Sequence, residues 1–471
     1  MKKLLGFLAI TLVAFTPLSV MAQSQQQKNE LMFARFTQQF QDQQVDSIYA
    51  LTGENFRKNV SLATLHGVAA QLFKLGPIKE SSLITYRNSI STYKLVFDQA
   101  TLQLSLSVDS LEKLETLLFK PYKDAVADKP YSVPGSNPLQ TQLDKRVDTI
   151  ARSYIQKENT VGLIIGIFHN GVMRTYGYGS TEKGKSNIPH DSTLFEIGSV
   201  SKTFTSLLLA HYAVQSKLSI SDPVTRYLPD SVASNPALTD ITLLHLSNHT
   251  SGLPRMPSNF MDESVDPLNP YKEYSDSRLF SALRKVQPST PPGKEDAYSN
   301  FGVALLGVIL ERISGRSYDE MVKEIIGRPV NMYNTTQFLS TAQNDRFVHV
   351  YNDNGTETPA WDFRAMAPAG ALRSTVSDLV RYGKAYLAKT GPLSAAMALT
   401  MAATQSNPAM GLGWHIRDTR GNATYWHNGG TYGSSSFIAF IPAKDVVVVV
   451  LSNAAAAVDD ISLSLLDVIV N

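Results

Sequence analysis

The sequence predicts an α/β (α+β) protein: an antiparallel sheet flanked by helices, with a helical subdomain inserted into it, preceded by a small α+β domain. Three observations predict this. The chain has 471 residues, more than one ordinary core holds. Helical spacing gives way to strand-like alternation first near the N-terminus and again further along. Between the two, residues 121–138 hold Pro130, Pro134, Gly135 and Pro138 with little periodicity, and read as a linker.

Composition narrows the class. Apolar residues at 43% against 18% charged give a globular balance rather than a disordered one. The net charge of +2 rests on Lys2 and Lys3, and beyond residue 22 basic and acidic side chains balance. Without basic runs the chain lacks the electrostatic footprint of nucleic-acid binding. It has no cysteine, so packing alone holds the fold, and no lipid can be attached through a cysteine.

The elements follow in order. Lys2 and Lys3, the apolar stretch Leu4 to Val20, and Val20-Met21-Ala22 before Gln23 read as a signal peptide, residues 1–22, cut near Ala22. Thr16 and Pro17 interrupt that stretch, which is too short for a membrane span. The expected destination is periplasmic or secreted, with no stable membrane anchor after cleavage. Residues 23–120 form the small α+β domain. In it Leu31, Phe33, Phe36 and Phe40 share one helical face, and Leu65, Val68, Leu72 and Leu75 another. Leu102, Leu104, Leu106 and Val108 then alternate as a half-buried strand should. This order of elements resembles the nuclear-transport-factor-like cone domains.

The second domain, residues 139–471, opens with an amphipathic helix marked by Leu139, Leu143, Val147, Ile150 and Tyr154. Val161–Phe168 and Val172–Tyr178 flank Asn170-Gly171 and read as a hairpin. Ser199 to about Leu387 is mostly helices and loops. Strand patterns return at Thr424–Tyr425, Ser436–Ile441 and Val446–Leu451, and Ile461–Val470 closes with a helix.

The chemistry centres on Ser199-Val200-Ser201-Lys202. Three residues apart on a helix, Lys202 can approach the Ser199 hydroxyl. A serine is a weak nucleophile until a base takes its proton, and a desolvated neutral lysine can do so. The apolar run Thr203–Ala210 would bury the helix and push Lys202 towards neutrality. Ser-x-x-Lys also occurs at Ser91, Ser110 and Ser180, in polar, strand-like or turn-like settings that read as structural. Downstream, Tyr298-Ser299-Asn300 offers a phenol able to move a proton beside the lysine, and an amide able to hold a substrate carbonyl and Lys202. In His427-Asn428-Gly429-Gly430 the glycines allow close approach to the backbone. His169-Asn170-Gly171 and Tyr86-Arg87-Asn88 repeat parts of these patterns, and the former reads as a turn.

Read at length, Phe195-Glu196-Ile197-Gly198-Ser199-Val200-Ser201-Lys202-Thr203-Phe204 resembles the nucleophile segment of class C β-lactamases, within the penicillin-binding serine hydrolases. The resemblance runs on through Ser221-Asp222-Pro223-Val224, Ile241 to Leu246, His249-Thr250-Ser251-Gly252-Leu253-Pro254 and Gly411-Leu412-Gly413-Trp414. It covers about residues 139–471. It implies that Ser199 attacks and that Lys202 and Tyr298 share the proton work, Tyr298 also activating the water that releases the ester. Asn300 would position the substrate, and the backbone N–H groups of Ser199 and Gly430 would form the oxyanion hole. The implied substrates are β-lactams, D-amino-acid peptides or esters, with no cofactor and no metal.

The chain departs from that pattern in two places. His427-Asn428-Gly429 stands where those β-lactamases carry Lys-Thr-Gly, and a histidine is mostly neutral near pH 7. Arg255 and Met256 follow Gly-Leu-Pro where they carry a glutamine; Arg255 could offer a replacement cation, and a solvated surface side chain is the preferred reading. Both differences count against efficient antibiotic hydrolysis. The His427 version is familiar among the family's peptidases and esterases. His245 and His249 have the spacing of a metal pair without a Glu-bearing zinc motif, and read as structural hydrogen-bonding groups. Thr375 reads as a cap over Asp378, and no Gly-x-Ser-x-Gly elbow is present. A carboxylesterase, and a sensor trapped as a β-lactam acyl-enzyme, are the rival readings.

Overall fold

The structure, a computed structural model, describes residues 25–87, 89–122, 133–261, 265–388 and 390–470. The signal-peptide reading and the middle of the linker reading lie outside the described residues. The chain divides after residue 125 into two compact units.

In the first unit the helices Gln25–Gln41, Val45–Ala50, Glu54–Asn59 and Leu62–Phe73 precede four strands. These are β1 (Ile78–Arg87), β2 (Ile90–Phe97), β3 (Thr101–Val108) and β4 (Leu114–Pro121), an antiparallel meander in the order β1-β2-β3-β4. Strict alternation of burial along β2 turns one face inwards. There Tyr93, Leu95, Leu104 and Leu106 meet Met32, Phe36 and Phe40 of the first helix. Leu31 was expected on that helix's inner face but is 49% exposed, and Met32 takes its place beside Asn29. Val68 is likewise exposed, and Leu65 with Ala69 covers the core instead.

In the second unit β5 (Gly162–His169) and β6 (Val172–Gly179) form the expected hairpin, with Asn170 and Gly171 both at positive φ. Three short strand segments follow as β7 (Leu194–Glu196), β8 (Val350–Tyr351) and β9 (Glu357–Thr358), then β10 (Arg373–Thr375). The chain ends with β11 (His415–Thr419), β12 (Asn422–Gly430), β13 (Ser435–Ile441), β14 (Val446–Ser452) and the helix Asp459–Val470. The main sheet is antiparallel, six-stranded, in the order β11-β12-β13-β14-β5-β6. Every residue of β13 and β14 is buried, because both faces are covered.

Alternation sorts those faces. Leu163, Ile165, Val448 and Val450 pack under the helices Gln142–Ile155 and Asp459–Val470. Ile164, Val447, Val449 and Leu451 belong to the larger core built on the helices Ser201–Val214, Asn300–Ser314 and Val376–Leu387. Gly383 allows the last of these to lie close, since a Cβ there would meet a Val447 methyl at 2.4 Å.

Several boundaries differ from expectation. The first helix of this unit starts at Gln142 behind a Thr141/Asp144 capping box, so Leu139 lies outside it, 44% exposed. Pro134 and Ser136, assigned to the linker, bond along the edge of β6 through Gly179 N–H and Gly177 C=O. β11 was missed altogether, and β12 extends well beyond Thr424–Tyr425.

Candidate active site

The buried strand β7 leads into the site, and the N–H of Ile197, the residue after it, donates to Leu372 C=O at 3.0 Å. A tight turn, Gly198–Val200, then leads into the helix Ser201–Val214. Gly198 takes φ +47°, and a Cβ on it would meet Gly430 N at 2.7 Å. Gly429 is as constrained, with a Cβ position 2.1 Å from Ile197 O and 3.0 Å from Ser199 N. The nucleophile turn and the end of β12 therefore touch backbone to backbone. Ser436 Oγ, on β13, donates to Ile197 O at 2.8 Å and holds the same turn.

Lys202 is fully buried. Its Nζ lies 2.9 Å from Ser199 Oγ and donates to Ala369 O at 2.6 Å. Burial holds its pKa well below the ordinary lysine value, and the Arg255 charge lowers it further. A neutral amine with one N–H committed to Ala369 O has its lone pair free for the Ser199 proton.

Tyr298 completes the centre. Its phenol lines the same cavity as Ser199, and its pKa is pushed up to about 12 by burial, against the opposing effects of the Ser199 hydroxyl and of Arg255. Lys202 Nζ sits 4.9 Å from the ring centroid and the Arg255 guanidinium 5.0 Å. The His249 ring is 4.4 Å from Tyr298.

Of the seven sequence-predicted residues, Ser199, Tyr298, Gly429 and Gly430 line one cavity of about 440 Å³. Lys202 lies beneath it, bonded to Ser199. Asn300 stands on the next helix, where its amide nitrogen reaches Met256 Sδ at 3.5 Å rather than Lys202. His427 is fully buried, its Nδ1 donating to Asn428 O at 2.6 Å, and burial carries its pKa well below the usual histidine value.

Several residues at the site were not foreseen there. His415 lines the cavity, its ring 5.1 Å from that of His427. It directly follows Gly411-Leu412-Gly413-Trp414, which could have drawn attention to it. Asp459 lines the cavity too, held by the Asn428 amide at 2.7 Å. Arg255 is exposed, as expected, but it faces the Ser199 cavity instead of bulk surface. His245 and His249 both accept backbone N–H groups, from Thr242 and Ser299. Among the described residues no cluster of three His, Cys, Asp or Glu could hold a metal ion, and no helix is long and apolar enough to cross a membrane.

The chain is similar to known proteins. Residues 147–468 match the family model described as Beta-lactamase. A beta-lactamase of Pseudomonas fluorescens is 26% identical over 351 residues, covering 66% of this chain and 94% of its own. The D-alanyl-D-alanine-carboxypeptidase/endopeptidase AmpH of Escherichia coli (strain K12) is 27% identical over 320 residues, 64% of this chain and 81% of its own. Among solved structures, a class C beta-lactamase superposes with a TM-score of 0.63 at 23% identity, covering 71% of this chain and 97% of its own. A beta-lactamase/D-alanine carboxypeptidase from Pseudomonas syringae gives 0.62 at 24%, covering 70% and 99%. At these identities the structural likenesses establish the fold.

Proposed function

The chain belongs to the beta-lactamase family, and from that premise we propose that it hydrolyses amides of the β-lactam or D-amino-acid peptide kind through an acyl-enzyme on Ser199. It is a serine hydrolase of the beta-lactamase type. The observation that carries the proposal is the approach of a buried Lys202 Nζ to Ser199 Oγ, 2.9 Å.

The two opposed pKa shifts divide the work. Lys202, held towards neutrality, takes the Ser199 proton as Oγ attacks the carbonyl carbon. Tyr298, held as a phenol, gives its proton to the leaving nitrogen as the C–N bond breaks. The resulting phenolate takes a proton from the incoming water as it splits the ester, and the Lys202 ammonium returns its proton to the departing Ser199 Oγ. The N–H groups of Ser199 and Gly430 stabilise the oxyanion in both steps. The fit of Gly429 against Ile197 and Ser199 supports that pairing.

A second reading, peptidase or esterase activity without efficient antibiotic turnover, draws on His427. Buried and neutral, it supplies no fixed cation where a lysine would. The AmpH relative is named for peptidase activity. Steady-state hydrolysis of nitrocefin, a D-alanyl-D-alanine peptide and a 4-nitrophenyl ester, each with Ser199→Ala, separates these readings. Turnover of the first two that requires Ser199 supports the leading one. Turnover of the ester alone replaces it with an esterase, and stable labelling by a fluorescent penicillin without turnover replaces it with a sensor. We assign the hydrolase to residues 139–471, leave 23–120 as a separate module, and read the basic, then apolar, start of the sequence as an export signal.

A further inference from the structure

We propose that Arg255 is the residue through which this hydrolase selects substrates bearing a carboxylate, a specificity role that rests on the Ser199 reading above. Arg255 lines the same cavity as Ser199, Tyr298, Gly429 and Gly430. Its carbonyl accepts the N–H groups of Asn300 and Phe301 at 3.0 and 3.2 Å, so the first turn of a buried helix fixes where the side chain starts. The guanidinium lies 5.0 Å from the Tyr298 ring centroid, which restrains the group without using its N–H donors. Among the described residues no carboxylate pairs with it. A planar fork held this way, charged at any working pH, suits two-point binding of a carboxylate.

The other basic groups of the site cannot do this. Lys202 is buried under Ser199 and committed to Ala369 O. His427, at the position where a lysine would answer a substrate anion, is buried and bonded to Asn428 O. His415 is a histidine, mostly neutral near pH 7. Among the described residues that line the cavity, Arg255 is thus the permanent cation. Asp459, held by the Asn428 amide at 2.7 Å, contributes a carboxyl group to the same cavity. A substrate anion is drawn to Arg255 and repelled by Asp459 when that group is ionised.

The test uses matched substrate pairs on the wild type, Arg255→Gln, Arg255→Lys and Ser199→Ala, at a pH on each enzyme's activity plateau. Nitrocefin and its methyl ester differ in a carboxylate on the leaving side. The 4-nitrophenyl monoester of adipic acid and 4-nitrophenyl hexanoate differ on the acyl side. The readout is the ratio of kcat/KM within each pair, from which any general effect of Arg255 on Lys202 or Tyr298 cancels. The expected result is a wild-type preference of about tenfold or more for the charged member of at least one pair. That preference collapses in Arg255→Gln through the KM of the charged member, and is partly kept in Arg255→Lys. Ser199-dependent turnover with no charge preference, or a preference unchanged in Arg255→Gln, overturns the proposal while the hydrolase reading stands. Wild-type rates no higher than those of Ser199→Ala on both pairs overturn both.

Discussion

Ser199 and Lys202 come from one turn and the helix that continues it, so local geometry and burial of Ser201–Ala210 set their 2.9 Å approach. Arg255, His415, His427 and Asp459 reach the same centre from separate segments, and only the tertiary fold brings them together. The first group is packed without freedom, with Lys202 fully buried. In the second, Arg255, His415 and Asp459 line the cavity, with Arg255 exposed and unpaired among the described residues, while His427 is buried. The difference teaches where each property is written. On the proposed mechanism, the capacity to activate a serine resides in a few consecutive residues, and the choice of substrate in a wall that no short segment contains.

Substitutions can break this contrast or sharpen it. The largest effect is expected at the packed side. Lys202→Met, close in volume, should lower kcat/KM by about a thousandfold or more with the fold intact, as read by hydrolysis rates beside circular dichroism. Next comes the contact between the two sides. In Gly429→Ala the new Cβ falls 2.1 Å from Ile197 O, so the nucleophile turn or the end of β12 must move. A loss of about a hundredfold, mostly in kcat, is expected from the misplaced oxyanion donors.

A smaller effect links the sides electrostatically. The acid limb of the kcat/KM profile should lie well below the ordinary lysine range, because Lys202 must be neutral to act and burial lowers its pKa. Removing the Arg255 charge favours the ammonium form, raises the Lys202 pKa, and so moves the acid limb of Arg255→Gln to higher pH. His249, His427 and Tyr298 face the same group, and losing the Arg255 charge also lets the pKa of His249 and of Tyr298 rise in that variant. The smallest effect on catalysis belongs to the N-terminal unit. Buried Asn29 donates to Ser89 O and Ser91 Oγ and accepts from Val108 N–H at 3.1 Å. Asn29→Ala should cost about 1–3 kcal/mol of that unit's stability, seen as a lower melting transition at unchanged kcat/KM.

The same contrast explains how much was legible in the sequence. Alternation and turn residues were enough for the β5–β6 hairpin and for β14, whose all-apolar run marks a strand buried on both faces. Ser199, Lys202 and Tyr298 stand out because their spacing and neighbours suit the proposed chemistry. β11 was hidden because His415-Ile416-Arg417-Asp418-Thr419 is a polar edge strand with little to alternate. Leu31 was misplaced since a helix with apolar residues on more than one side does not reveal which stripe meets the sheet. The turn of Arg255 towards the cavity depends on carbonyl bonds to a helix far along the chain, and no local pattern records it.

The central claim is that Ser199, activated by Lys202, carries the acyl group. Intact-mass spectrometry with peptide mapping, on protein quenched in acid soon after mixing with a slowly released penicillin, tests it most directly. The account predicts one added penicillin mass on the peptide containing Ser199, lost in Ser199→Ala and formed at least about a hundredfold more slowly in Lys202→Met. A label on another residue, or one that forms as fast without Lys202, would contradict it.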